Sequence, residues 1–151
     1  MALYMVELLQ KCLKQPEANA DLFNFCEDAF VQLDISNNEV TANFPIYFSL
    51  QLAPFFGFRL QDNYSEKRNV FNLQEGSFSD IHSAASGHLS IEISFHLSQL
   101  LKAMHPADLN EIRLNRNTRR EILNSIQNYY AWHIPEFGSM KTLPVLAEIL
   151  S

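Results

Sequence analysis

The stretch from residue 43 to residue 57 constrains the fold most, because apolar side chains surround nearly its whole circumference when it is placed on a helix. A helix that is apolar on every side is stable only when it is buried. Pro45 suits a first helical turn, Pro54 predicts a kink or an early end, and Gly57 predicts the stop. The sequence therefore predicts a central third helix, around which the other elements pack. Its large apolar residues are Phe44, Ile46, Tyr47, Phe48, Leu50, Leu52, Phe55 and Phe56.

Four further segments repeat apolar residues at the three- and four-residue spacing of an amphipathic helix. Asn19 or Asp21 can cap one of them, and Thr142 is the predicted cap of the last. The predicted helices cover residues 3–14, 21–34, 116–134 and 143–150.

The apolar pattern of residues 88–104 fits either a strand or a helix. Their first half alternates apolar and polar residues, which favours a strand, whereas Ile93, Leu97 and Met104 follow a helical spacing. Because no turn-forming residue interrupts the segment, its length favours a helix that begins near Ser90.

Between residues 58 and 87 polar residues dominate and the helical period is lost. Residues 70–78, in which Gly76 closes a turn between two apolar segments, are typical of a small β-hairpin. An isolated hairpin is only marginally stable, so this one must lean on the helices. The predicted fold is mainly α: a single helical domain over residues 1–151, with about six helices and a hairpin insertion at about 58–87.

The net charge of −6 is spread unevenly along the chain. Residues 1–39 contain two basic and seven acidic residues, a net −5, whereas residues 96–151 contain six basic and five acidic residues, a net +1. Phosphate binding needs concentrated Lys and Arg. The overall charge therefore argues against a simple polyanion-binding domain, although it permits a local basic patch.

The sequence argues against secretion and against a segment that spans a membrane. The first apolar segment contains Glu7 and lacks a basic region before it, which argues against a secretory signal, and no apolar run is long enough to span a membrane. The two cysteines, Cys12 and Cys26, are too few for a disulfide framework and have apolar neighbours. We therefore expect buried free thiols and a location in the cytoplasm.

No group of residues predicts catalysis or a bound metal or cofactor. His82, His88 and His96 are spaced by six and eight residues, which matches no common set of zinc ligands. The chain has four glycines and no phosphate-binding loop motif. Glu92 and His96 lie four residues apart, but a solvated pair is favoured over a hydrolase site. We therefore expect that the protein is not an enzyme.

A basic cluster in the sequence IRLNRNTRR is the strongest candidate for a binding site. On a continuous helix, Arg113, Arg116 and Arg120 project within about 60° of one another at the rim of the apolar face. Arg119 points closer to that face. Guanidinium groups beside an apolar surface can bind phosphates, or the carboxylates of a peptide, with two hydrogen bonds each.

Two alternatives stay open for this part of the chain. The arginines could instead form a solvated face paired with Glu111 and Glu121. Trp132, the only tryptophan, lies away from the centre of the apolar face of its helix. Either the C-terminal segment folds back and covers it, or it belongs to a partner surface.

Three segments resemble the C-terminal helical domain of the RecO family of bacterial recombination mediators. The sequence ALYMVELLQKCLKQPEANADLFNF at 2–25 is similar to the first helix pair of the family, and VFNLQEGSF at 70–78 continues the likeness. The most specific segment, RREILNSIQNYYAWHIPEFGSMKTLPVLAEIL at 119–150, resembles the family's Tyr-Tyr…His helix and its closing turn.

The resemblance implies a non-enzymatic role in the bacterial cytoplasm, at the nucleoid. Members of this family load recombinase onto single-stranded DNA coated by single-stranded-DNA-binding protein, anneal complementary strands and act with the partner RecR. Their helical domain receives the acidic, Phe-ending tail of single-stranded-DNA-binding protein. On this hypothesis, cations for DNA phosphates or for that tail come from Arg113, Arg116, Arg119, Arg120 and Lys102. The competing hypothesis is a helical protein-interaction module without direct nucleic-acid contact.

The chain departs from the family in two respects. It begins where the helical domain of the family begins, so we expect the family's N-terminal OB-fold to be absent. Many members have a four-cysteine zinc site in the region that matches 58–85, where this chain has no cysteine. We therefore expect no zinc, and we expect apolar packing to take over its structural role. The residues expected to pack there are Phe58, Tyr64, Phe71 and Phe78.

Overall fold

The computed structural model describes residues 1–14, 18–83 and 87–149. Within these ranges the chain forms six α-helices, two 3₁₀ helices and one antiparallel two-stranded sheet. The α-helices are α1 (Ala2–Cys12), α2 (Ala20–Ile35), α3 (Asn38–Leu52), α4 (Ile91–Lys102), α5 (Arg116–His133) and α6 (Thr142–Ile149). The strands are β1 (Val70–Asn72) and β2 (Ser77–Ser79), and the 3₁₀ helices are Ala53–Phe56 and Pro106–Glu111. The prediction of a mainly α fold with a small hairpin is confirmed.

Helix α3 lies at the centre of the fold, as its apolar sequence predicts. It contacts α1, α2, α4, α5 and the second 3₁₀ helix, and most of its residues are buried. The helix begins earlier than predicted, because the Asn37 side chain caps it by accepting a hydrogen bond from the Val40 amide (2.9 Å). The prediction that Pro45 lies in the first turn is therefore wrong, since Pro45 lies inside the helix. As predicted, the α-helix ends just before Pro54, and Gly57 adopts the positive φ of a helix stop.

A buried hydrogen-bond network joins three helices at this centre. The Tyr4 hydroxyl of α1 donates to Ser49 Oγ of α3 (2.7 Å), and Ser49 Oγ donates to the Pro45 carbonyl oxygen (2.7 Å). From α5, the Tyr130 hydroxyl donates to the Ser49 carbonyl oxygen (2.6 Å). Burial raises the pKa of both phenols well above the ordinary value, so both stay protonated donors. Because buried polar groups must be paired, the network fixes how α1 and α5 sit against α3.

Two capped helices confirm the sequence-based assignments. Asn19 caps α2 by accepting a hydrogen bond from the Leu22 amide (3.0 Å). Ser90 caps α4 by accepting one from the Ile93 amide (3.2 Å), so the helical interpretation of residues 88–104 is correct. The 3₁₀ helix that follows α4 was not predicted.

The two thiols differ in burial. Cys12 is buried, as predicted, and burial raises its pKa to about 12. Cys26 is only half-buried, so the prediction that it is buried is wrong, although partial burial raises its thiol pKa as well. Both are free thiols. A raised pKa keeps a thiol protonated and unreactive at neutral pH.

The hairpin leans on α4 and on the preceding loop, as its marginal size requires. The Phe71 amide donates to Ser94 Oγ of α4 (2.8 Å). The Asn63 side chain accepts from the Phe78 amide (2.7 Å) and donates to the Phe78 carbonyl oxygen (3.0 Å), so it pairs with β2 as a further strand would. The Phe78 ring lies 5.0 Å from that of Phe71 and 5.4 Å from that of Tyr64, between centroids. Three of the four residues expected to replace a zinc site therefore pack together.

Phe58, the fourth expected member, packs elsewhere. Its ring stacks on His133 at 4.7 Å and meets the rings of Tyr129 and Tyr130 edge-on. The chain turns at Gly57, and Phe58 packs against the C-terminal half of α5. The described part of the chain holds no group of three or more His, Cys, Asp or Glu side chains placed to bind a metal. The expectation that no zinc binds stays a prediction.

Helix α6 is capped from another helix. Thr142, the predicted cap, is its first residue, and Glu7 of α1 accepts hydrogen bonds from the amides of Lys141 (2.6 Å) and Thr142 (2.9 Å) through its two carboxylate oxygens. Lys11 of α1 donates to the Phe137 carbonyl oxygen (2.8 Å) and lies over the ring of Phe137, 5.4 Å from its centroid. Helix α1 therefore holds the segment that leads into α6.

Acid is expected to weaken this junction through Glu7. Partial burial by itself would raise the pKa of Glu7, but hydrogen bonds from Thr142 and Lys141 and the charge of Lys11 outweigh it and lower the pKa. A carboxyl group with a lowered pKa stabilises the fold above its unfolded pKa, and this contribution is lost as the pH falls through the folded pKa. The melting temperature of Glu7→Gln should therefore fall less steeply than that of the wild type from about pH 5 downwards. Parallel curves would contradict this assignment.

No helix of the described residues is both long and apolar enough to cross a membrane.

Candidate functional site

Helix α5 and the chain around α6 form a cleft that carries two of the predicted arginines. Asn115 caps α5 by accepting a hydrogen bond from the Thr118 amide (2.8 Å), so the helix begins at Arg116 and places Arg120 one turn later on the same face. The cleft has a volume of about 550 Å³. It is lined from α5 by Arg116, Arg120, Asn124 and Gln127, and from the opposite wall by Ser139, Met140, Leu143, Pro144 and Glu148.

The cleft has an apolar floor, formed by Met140 and Leu143, and a polar rim that carries Arg116 and Arg120. Met140 and Leu143 are buried, and Gln127 Oε1 accepts a hydrogen bond from the Met140 amide (2.9 Å), which ties the two walls together. Arg116 interacts with other groups of the protein, whereas no ion pair within the described ranges involves Arg120. Such a cleft can hold an apolar side chain on its floor while the rim binds a carboxylate.

Arg119 is engaged inside the fold instead. Its Nε donates to Asn43 Oδ1 of α3 (3.0 Å) and its Nη2 donates to the Leu114 carbonyl oxygen (3.0 Å). Asn43 is buried and in turn donates to the Ile112 carbonyl oxygen (2.9 Å). Partial burial lowers the pKa of Arg119, although an arginine stays charged at neutral pH. Arg119 therefore ties α5 to α3 and does not line the cleft.

Replacing Arg119 with alanine is expected to lower the free energy of unfolding by about 1.5–3 kcal/mol, because it removes charged hydrogen bonds and leaves the buried Asn43 oxygen unpaired. Arg120→Ala is the matched control, since Arg120 is exposed and its removal should cost less than about 0.5 kcal/mol. Urea denaturation followed by circular dichroism measures both values. Equal losses would show that the contacts of Arg119 contribute nothing.

The two remaining predicted cations also lie outside the cleft. Arg113 precedes Arg116, the first residue of α5, so the prediction that it shares a helical face with the other arginines is wrong. Its guanidinium forms an exposed ion pair with Glu39 of α3 (3.4 Å), a partner that the sequence did not indicate. Lys102, at the end of α4, forms an exposed ion pair with Asp62 (2.9 Å). Exposed pairs of this kind contribute little to stability.

Trp132 is 62% exposed, so the first of the two alternatives, in which the C-terminal segment covers it, is wrong. After α5 the chain turns toward α1, where Lys11 donates to the carbonyl oxygen of the buried residue Phe137. Trp132 instead lines a second cleft of about 580 Å³ together with Leu73, Gln74, Gly87, Asn128 and Ala131. Its place on a partner surface stays a prediction.

Sequence reasoning missed four polar residues of the α5–α6 cleft, Asn124, Gln127, Ser139 and Glu148. Asn124 lies four residues after Arg120, and Gln127 lies three residues after Asn124. Extending the arginine stripe along α5 would therefore have found both. Glu148 lies on α6, and nothing in the sequence relates it to the arginines. The opposite wall of the cleft could therefore not be predicted from the sequence.

The family described as "Recombination protein O C terminal" matches residues 1–142. The chain belongs to the RecO C-terminal family. The match includes the whole of α5 and the junction between Glu7 and the start of α6. It confirms the resemblance of the first and middle segments and, as far as residue 142, that of the last.

Curated relatives of this RecO-family chain are named DNA repair protein RecO. The protein from Christiangramia forsetii is 32% identical over 152 residues, which cover 99% of this chain and 60% of the relative. The one from Flavobacterium psychrophilum is 30% identical over 156 residues, 100% of this chain and 61% of the relative. The chain thus spans about 60% of the length of the curated relatives it matches. No solved structure gives a significant match.

Proposed function

We propose that this chain acts in DNA repair and recombination as the helical domain of a RecO-type mediator. In this role it contributes to binding of single-stranded DNA, of RecR and of single-stranded-DNA-binding protein during recombinase loading and strand annealing. The observation that carries the proposal is the family match over residues 1–142, together with relatives that are named as DNA repair proteins. The role is one of binding, without bond cleavage.

The proposed occupant of the α5–α6 cleft is the acidic, Phe-ending tail of single-stranded-DNA-binding protein. Its terminal ring would contact the apolar floor at Met140 and Leu143, and its carboxylates would pair with Arg116 and Arg120 at the rim. Bidentate guanidinium–carboxylate pairs are among the stronger hydrogen bonds in proteins. The support comes from the coincidence of an apolar floor and two cations in one cleft.

The test is a titration of the chain with an acidic peptide that ends in Phe, followed by the amide resonances of α5 and α6. We expect saturable shifts confined to the cleft lining, and at least about tenfold weaker binding when the terminal Phe is removed, because a buried aromatic anchor is lost. Absence of saturable binding, or shifts elsewhere on the chain, would overturn the assignment of the tail to this cleft.

The second candidate is a helical protein-interaction module without nucleic-acid contact. The charge of the first 39 residues, a net −5 from two bases and seven acids, favours it. Titration with an unstructured single-stranded DNA at several salt concentrations separates the two candidates. Phosphate contacts predict an affinity that falls steeply with salt, whereas the module predicts no binding even at low salt.

A further inference from the structure

We propose that Glu7 is a positioning residue for the α5–α6 cleft. From helix α1, outside the cleft, it holds the start of α6 and so sets the place of the wall that an acidic peptide contacts. This inference rests on the proposed function of the cleft. It assigns to α1 a part in partner binding that is separate from the arginines.

The geometry shows how the wall depends on Glu7. The wall runs from Ser139 through α6, a helix of only eight residues. A helix this short is unstable in isolation, so its position depends on its cap and on tertiary contacts. Glu7 uses both carboxylate oxygens for the cap, one for the Lys141 amide (2.6 Å) and one for the Thr142 amide (2.9 Å). No side chain of the wall itself supplies these two bonds.

Two further contacts hold the residues that come just before the two amides bound by Glu7. Lys11 holds the Phe137 carbonyl oxygen (2.8 Å), and Gln127 Oε1 accepts from the Met140 amide (2.9 Å). Side chains of both α1 and α5 therefore hold this segment, and the Glu7 bonds lie where the chain enters α6. Removing them lets the first turn of α6 fray while its buried residue Leu146 stays packed.

The negative charge of Glu7 also favours one orientation of an acidic ligand in the cleft. The start of a helix carries a partial positive charge that attracts carboxylates. In this protein the carboxylate of Glu7 already neutralises the start of α6. The carboxylates of an acidic ligand are therefore directed to Arg116 and Arg120 at the opposite wall, and the ligand gains one preferred orientation.

The fold does not depend on Glu7 alone. Tyr4, Met5 and Leu8 of the same helix are almost completely buried and anchor α1 independently. A variant at position 7 is therefore expected to keep the fold while it raises the fraction of molecules with a displaced wall. Apparent affinity falls in proportion to the fraction that is competent to bind.

The experiment measures binding of the acidic, Phe-ending peptide to wild type, Glu7→Ala and Glu7→Gln. We expect about fivefold weaker binding by Glu7→Ala, which is the size of effect expected from loss of a helix cap. Glu7→Gln keeps one acceptor oxygen and should lie between the other two. The amide resonances of Lys141 and Thr142 report directly on the lost hydrogen bonds.

Asn37→Ala is the matched control. It removes the cap of α3, the Asn37–Val40 hydrogen bond (2.9 Å), at a comparable expected cost in stability but away from the cleft. Its peptide affinity should equal that of the wild type. If Asn37→Ala weakens binding as much as Glu7→Ala does, general destabilisation is the cause and the inference is overturned.

The outcomes separate this inference from the proposed function. If the wild type does not bind the peptide, the proposed function fails and the inference falls with it. If the wild type binds and both Glu7 variants bind equally well, only the positioning role of Glu7 is overturned. Should Glu7→Ala fail to fold, Glu7→Gln alone decides between these results.

Discussion

Replacing Phe78 with alanine is expected to lower the free energy of unfolding by about 3–5 kcal/mol. Phe78 is fully buried, and its ring packs edge-on against those of Phe71 and Tyr64 at 5.0 and 5.4 Å. Strands of three residues cannot hold a hairpin without such packing. The substitution therefore removes buried apolar area and also the ring contacts that join β2 to Phe71 of β1 and to Tyr64.

The measurement is urea denaturation followed by circular dichroism, with Phe23→Ala as the matched control. The Phe23 ring is 65% exposed on α2, so the same substitution should cost less than about 0.5 kcal/mol there. A loss for Phe78→Ala as small as that for Phe23→Ala would contradict the view that aromatic packing holds the hairpin in place of a metal site.

The elements that could be predicted from sequence are those decided by neighbouring residues. The apolar stripe of α5, the Asn19 cap of α2 and the Gly76 turn each depend on residues within a few positions of one another. The start of α3 was misjudged although it is local, because two local signals compete there. The cap from Asn37 outweighs the preference of Pro45 for a first turn.

The contacts that could not be predicted join residues far apart in the chain. Glu7 and Lys141 are separated by 134 positions, and Arg119 and Asn43 by 76. Periodicity places Arg119 near the apolar face of its helix, but it does not reveal which polar group of α3 meets it. For the same reason the arginine stripe of the cleft could be predicted from sequence, whereas the wall formed by α6 could not.

The double variant Arg116→Ala/Arg120→Ala is expected to bind the acidic, Phe-ending peptide about thirtyfold more weakly than the wild type. Each charged hydrogen bond contributes about 1.5 kcal/mol or more, partly offset by solvent exposure at the rim, and each 1.4 kcal/mol corresponds to a tenfold change. The apolar floor stays intact, so residual binding should persist. Fluorescence anisotropy of a labelled peptide measures the change.

The matched control is the double variant Lys102→Ala/Arg113→Ala, which also removes two positive charges but removes them outside the cleft. The chain carries a net charge of −6, so any loss of cations increases its general repulsion of an acidic peptide. This long-range effect is common to both double variants and should weaken binding by the control less than about threefold at physiological salt, where charges more than about 8 Å apart are screened. Only contact within the cleft can make Arg116→Ala/Arg120→Ala the weaker binder, and equal losses in the two variants would exclude that contact.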